Sequence, residues 1–185
     1  WRELLGTQIG GPERLAGALV LPFPSAGLPV GPKNEFVAMQ TAGHPTMIRA
    51  YLVAADTKLT EAELDLEAKG IGGFKCYHCY STREDTQQSY IDEFLPDWTW
   101  QVADERGWFI MLHIVRDPAL DDPENQRQIR EKCEQFPNAQ LILAHAARGF
   151  HGPNTSNSIA TLRGLDNVWF DTSAICEAEP MIAIL

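Results

Sequence analysis

The chain has 185 residues, 44% hydrophobic and 22% charged, with a formal net charge of −10. That is the composition of one globular domain with a substantial core. A pI near 4.9 argues against a nucleic-acid surface, which would be basic, and against an anionic membrane surface. No window approaches ~18 consecutive apolar residues, so no transmembrane helix is expected.

Apolar strand candidates recur with helical stretches between them. Leu15 to Leu21 comes first, followed by a Gly/Pro-rich loop to Lys33. Met47 to Val53 and Gly72 to Tyr80 come next, then Trp108 to Val115, Ala139 to His145 and Asn167 to Thr172. Their starts lie roughly 25 to 37 residues apart, the size of a βαβ unit.

The intervening helices carry start and stop signals. Thr60 and Glu63 form a capping box before 61–69, and Gly70 stops that helix. Pro96 suits the first turn of a helix reaching Arg106, with Gly107 at its end. Asp122 caps a helix from Pro123 to Phe136, closed by Pro137. Another helix begins near Glu179.

Strand–helix alternation with near-continuous apolar strands predicts a parallel sheet covered by helices. An open doubly wound sheet and a (β/α)8 barrel both fit. No G-x-G-x-x-G or G-x-x-x-x-G-K-[ST] occurs, so the common nucleotide-binding open sheets lose support. Six strands fall short of a closed barrel, which takes about 250 residues. A barrel reading therefore makes residues 1–185 a single, partial-barrel domain.

Two strands end in histidine: Phe109-Ile110-Met111-Leu112-His113 and Leu141-Ile142-Leu143-Ala144-His145. Active sites of parallel barrels are built at that end, and imidazole is both a common metal ligand and a general base. On successive strands the two rings could share one divalent ion. The competing reading of each is a hydrogen-bonded core residue. Arg116 and Arg148 each follow a histidine by three residues and could hold a carboxylate bidentately. Surface ion pairing is their ordinary alternative. Lys75 lies mid-strand among apolar residues, where lysine is rarely buried without a partner. Pointing inward, it would be a catalyst or a carbamylated metal bridge; otherwise it reaches solvent past a helix edge. His78, near the end of the same strand, could touch substrate or pack against a helix. Asp171 ends the sixth strand and could steady a neighbouring His, bind ligand or cap the next turn. His44 and His151 read as surface residues.

Cys76 and Cys79 make a C-x-x-C without a second ligand pair at zinc-finger spacing, because Cys133 and Cys176 stand singly. Reduced cysteines are expected, and with them a cytoplasmic location. The first residue is Trp1, and the opening residues resemble no signal peptide; the natural N-terminus is expected to lie elsewhere.

These residues resemble the amidohydrolase superfamily, specifically its amidohydrolase-related (amidohydrolase 2) branch. The carriers are Met111-Leu112-His113, Phe136-Pro137-Asn138-Ala139 running into Leu143-Ala144-His145, and Val168-Trp169-Phe170-Asp171-Thr172-Ser173. The resemblance is specific from about residue 70 to 180. It implies an α/β fold, an incomplete TIM (β/α)8 barrel of about six parallel strands with outer helices. His113 and His145 would be metal ligands from barrel strands 5 and 6, and Lys75 would stand at the strand 4 position. The family's H-x-H on strand 1 and Asp on strand 8 find no counterpart, so the first and last strands are expected to be missing.

The resemblance further implies a divalent metal cofactor, zinc first and manganese second. The expected activity is hydrolysis of a small carboxylate, lactone, ester or amide. Lys75 and Asp171 would be catalytic, and His78, Arg116 and Arg148 substrate-binding. A non-oxidative decarboxylase on the same scaffold is the alternative, and an inactive truncated fragment the third reading. The expected partner is a small anionic substrate, with homo-oligomerisation open and neither nucleic acid nor membrane.

Overall fold

The computed structural model describes residues 11, 16–60, 66 and 70–185. Six strands form one wholly parallel sheet in sequence order: β1 (Ala18–Val20), β2 (Met47–Val53), β3 (Ile71–Tyr77), β4 (Phe109–His113), β5 (Gln140–Leu143) and β6 (Val168–Phe170). The sheet curls into part of a barrel. Among the described residues its two edge strands, β1 and β6, do not pair with each other.

Strand alternation sorts side chains onto two faces. Phe74, Cys76, Ile110, Leu112, Leu141 and Leu143 all belong to the buried core. They meet Trp100, Val102 and Ala103 of the helix over 97–106 and Ile129 and Cys133 of the helix over 123–135. The other face of β3 and β4 presents Lys75, Tyr77 and Met111 to a cleft. Gly73 permits the close β3–β4 approach: a Cβ there would lie 2.1 Å from the Phe109 carbonyl oxygen and 2.6 Å from its ring.

Helix α1 (Gly31–Thr41) begins inside the stretch expected to be loop. Its start has no side-chain cap and its apolar pattern is weak, so only Pro32 in the first turn marks it. Buried Asn34 docks it. The Asn34 carboxamide accepts from the Leu52 amide at 2.7 Å and donates to the Leu52 carbonyl at 2.9 Å. It thereby satisfies β2 backbone beyond the end of the short β1.

Helices α2 (Asp97–Arg106) and α3 (Pro123–Gln135) fall close to their expected positions. Gly107 takes the left-handed conformation, φ 62°, that ends α2. The Asp122 carboxylate accepts from the amides of Glu124 and Asn125 at 2.9 and 3.1 Å. Short helices α4 (Pro153–Ser156) and α5 (Ala178–Ile184) follow, with several single helical turns between the elements named. Glu63 of the expected capping box, and most of its helix, lie outside the described residues.

The third strand ends sooner than its apolar run. At His78 the chain enters a 3-10 turn through Tyr80. No helix among the described residues is long and apolar enough to cross a membrane. All four cysteines are free, with Cys76 and Cys133 buried, Cys79 half-buried and Cys176 exposed.

Candidate active site

A cleft of about 390 Å³ opens at the C-terminal ends of the strands. Lys75, Tyr77, Met111, His145, Asp171 and Ser173 line it, closed on one side by the apolar loop Leu21 to Pro24. The ends of β3 to β6 therefore converge as a parallel barrel requires.

His113 closes β4 beside this cleft. Its ring stacks on Tyr77 with centroids 4.3 Å apart and meets His145 edge-on at 5.2 Å. The His113 Nδ1 is buried without a hydrogen-bond partner. Burial pushes its pKa down to about 3, helped by the nearby Lys75, His145 and His78. The imidazole is therefore neutral at pH 7, the form that binds a metal.

His145 is held differently. Its Nδ1 faces the Ser173 carbonyl oxygen at 3.0 Å and the Ser173 hydroxyl at 2.9 Å. That hydroxyl donates to Asp171 Oδ2 at 2.6 Å, so toward the ring it acts as acceptor. The network assigns the proton to Nδ1 and leaves Nε2 with a free lone pair. Asp171 Oδ2 also accepts from the His145 backbone amide at 3.1 Å. Burial pushes the Asp171 carboxyl up, but hydrogen bonds from Ser173 and the His145 amide outweigh it and hold the group below its ordinary value.

After β5 the backbone takes four consecutive left-handed residues without glycine: His145, Ala146, Ala147 and Arg148, at φ 53°, 47°, 58° and 68°. Such conformations cost about 1–2 kcal/mol per residue and persist only where surroundings enforce them. Here the Ala146 amide donates to the Asp171 carbonyl at 2.7 Å, and the Gly149 amide to the His145 carbonyl at 2.7 Å. The turn holds His145 at the mouth instead of letting it continue along the strand.

Lys75 is 4% exposed. Its Nζ lies 5.0 Å from the Tyr77 ring centroid. Burial pulls its pKa down to about 8. Asp171 and Lys75 thus line the same cleft as His145, with His113 adjoining.

The other sequence candidates sit elsewhere. His78 is buried, with Nδ1 3.2 Å from the Thr86 carbonyl oxygen and its ring centroid 6.1 Å from that of His113. Burial lowers its pKa. Arg116 pairs with the capping Asp122 at 3.2 Å, bonds Gln88 and stacks over Tyr90 at 4.3 Å. Arg148 donates to the Val115 carbonyl and lies 5.7 Å from the Phe150 ring centroid. None of the three lines the cleft. His44 and His151 are exposed, as expected.

Tyr77 and Ser173 are site residues that sequence reasoning did not single out. Tyr77 had a legible signal, since it shares the strand face of Lys75. Ser173 stands two residues after Asp171, a spacing that lets its hydroxyl bond the carboxylate locally.

A divalent ion can be tested against these groups. The orphaned His113 Nδ1, its neutral ring and the bare Nε2 of His145 suit two nitrogen positions of such an ion. No group of three or more His, Cys, Asp or Glu side chains able to hold a metal occurs among the described residues. The described residues therefore supply part of a donor set.

The family model described as amidohydrolase matches residues 26–181. No curated protein matches the chain. Among solved structures, an amidohydrolase from Burkholderia multivorans with bound HEPES is similar at TM-score 0.59 and 11% identity, over 93% of this chain and 58% of that one. A structure described as amidohydrolase II is similar at TM-score 0.51 and 13% identity, over 84% of this chain and 60% of that one. The chain thus spans less than two thirds of either structure's length, and these likenesses concern the fold. The family match covers every strand but β1, including the two strand-end histidines and Asp171, and on that ground the chain belongs to the amidohydrolase family.

Proposed function

We propose that this cleft is part of the active site of a metal-dependent hydrolase acting on a small carboxylate, lactone, ester or amide. The observation that carries this reading is the pair His113–His145. One imidazole is buried with an unpartnered nitrogen, and the other is oriented by Ser173 and Asp171. Family membership supports a hydrolase-type enzyme.

His113 and His145 would hold the ion, zinc or manganese. When bound, it would supply Lewis acidity toward the scissile carbonyl and an activated water. The chain's own groups do the rest. Ser173 and Asp171 fix the His145 tautomer and main chain, a second layer of support that such sites require. Tyr77 fixes the plane of His113 by stacking. The apolar loop Leu21 to Pro24 keeps water from one wall of the cleft. Lys75 would bring an amine into the cleft beside the reacting carbonyl. Arg116 and Arg148 lie outside the cleft, held by Asp122 and Gln88 and by the Val115 carbonyl, and would meet an anionic substrate at the rim only by leaving these partners.

The test is hydrolysis of a lactone, an ester and an amide by the full-length protein after chelation and after reloading with zinc or manganese. Metal-restored hydrolysis lost in His113→Ala and in His145→Ala supports the reading. Full activity after chelation contradicts it. Release of CO₂ from aromatic carboxylates without hydrolysis would establish the decarboxylase in its place.

A further inference from the structure

Lys75 combines three features that metal-assisted hydrolysis does not require together. It lies in the middle of β3 and is 4% exposed. Its side chain forms no hydrogen bond and no ion pair with any described residue. It faces a cleft lined on one side by Leu19, Pro22, Phe23 and Met111 and on the other by His145 and Asp171. A buried ammonium held only by the face of the Tyr77 ring and by the field of the Asp171 carboxylate is costly.

We propose that Lys75 is a carbonyl-capturing nucleophile: its amine condenses with an aldehyde or ketone carrying an apolar body, seated in this cleft, to form an imine. An anchor for a carboxylate alone would gain from keeping the ammonium charged and hydrogen-bonded. The site does the reverse. Its apolar walls favour the uncharged amine, consistent with a pKa near 8. They also accept a hydrocarbon or aromatic group next to the reacting carbon.

The chemistry balances without a redox partner. The Nζ lone pair attacks the carbonyl carbon, and the carbonyl π pair moves to oxygen. That oxygen takes up the proton released by nitrogen, giving a carbinolamine. The nitrogen lone pair then expels the hydroxyl as water once it is protonated, and the iminium loses its proton to leave the imine. One water is released for each carbonyl captured. Solvent water entering the open cleft carries these protons.

The proposal shares the cleft with the hydrolase reading but needs no metal, so chelated protein separates the two. Chelator-treated wild type is incubated near neutral pH with benzaldehyde and sodium cyanoborohydride, digested, and mapped by mass spectrometry. The expected result is saturable labelling concentrated at Lys75, at least about tenfold over Lys33, whose amine is instead hydrogen-bonded to Tyr80 at 2.9 Å. Lys75→Met should lose that adduct with an unchanged circular dichroism spectrum, and Lys33→Met should keep it. Labelling spread evenly over the five lysines, or an unlabelled Lys75 in folded wild type, overturns the proposal. An adduct at Lys75 together with metal-independent hydrolysis would retain this inference and remove the metal reading.

Discussion

Lys75→Met should stabilise the folded protein at neutral pH while removing an amine from the cleft. Methionine has nearly the same length and volume, so packing against Leu52, Met111 and Tyr77 is conserved. Lysine's charge is what the site resists. Its pKa falls from 10.5 to about 8 on folding. A difference of that size corresponds to at most ~3 kcal/mol of destabilisation while the unfolded lysine is charged, and about 1–3 kcal/mol should be recovered in the variant.

The sign follows from proton binding. Between about pH 8 and 10.5 the unfolded chain binds more protons at this position than the folded one, so this lysine's cost fades as pH rises through that window. Below about pH 8 the cost is fully present. Urea unfolding of wild type and variant at neutral pH and near pH 10 measures this. The variant should be the more stable at neutral pH, and the gap should narrow at the higher pH. A variant less stable by more than about 1 kcal/mol at neutral pH, or a gap independent of pH, would refute the placement of Lys75 as a desolvated amine.

Asn34→Ala should lower stability by about 2–3 kcal/mol in thermal unfolding, because two hydrogen bonds go and the Leu52 amide and carbonyl are left without them; a loss below about 0.5 kcal/mol would show that water replaces the carboxamide freely. Asp122→Ala should cost about 1–2 kcal/mol in the same assay, through the lost cap of α3 and the freed Arg116. Ala147→Gly should be neutral or stabilising within about 1 kcal/mol, since glycine relieves the left-handed backbone. Ala147→Val should destabilise strongly, and equal costs for the two would contradict the backbone assignment. Ser173→Ala should weaken zinc binding about tenfold or more with little change in stability, by releasing the His145 tautomer; unchanged affinity in calorimetric titration would deny Ser173 that role.

The strands were legible because each buried run is bounded by turn residues and spaced as a βαβ unit. Met47–Val53 emerges at its expected bounds. Alternation also placed Lys75 and Tyr77 on one face and Cys76 on the other. Helix α1 was not legible, because a helix anchored by one buried asparagine needs no strong amphipathic stripe. The early end of β3 was hidden too: Tyr77-His78-Cys79-Tyr80 reads as strand, yet the 3-10 turn takes His78 off the sheet. The two arginines illustrate the limit of spacing arguments. Position three residues past a histidine puts a guanidinium near the mouth, but its partners are fixed by distant residues, Asp122, Gln88 and Tyr90 for Arg116 and Val115 for Arg148. The left-handed turn from His145 to Arg148 carries no glycine and so gives no sequence signal.

The central claim is that His113 and His145 grip one divalent ion. Histidine-ring NMR of the protein during zinc titration tests it most directly, because each ring reports for itself. His113 and His145 should shift together at the same zinc concentration, with Nδ1 of His145 still protonated, while the exposed His44 and His151 stay unmoved at that concentration. Rings of His113 and His145 that do not respond, or that respond separately and no earlier than His44 and His151, would contradict it.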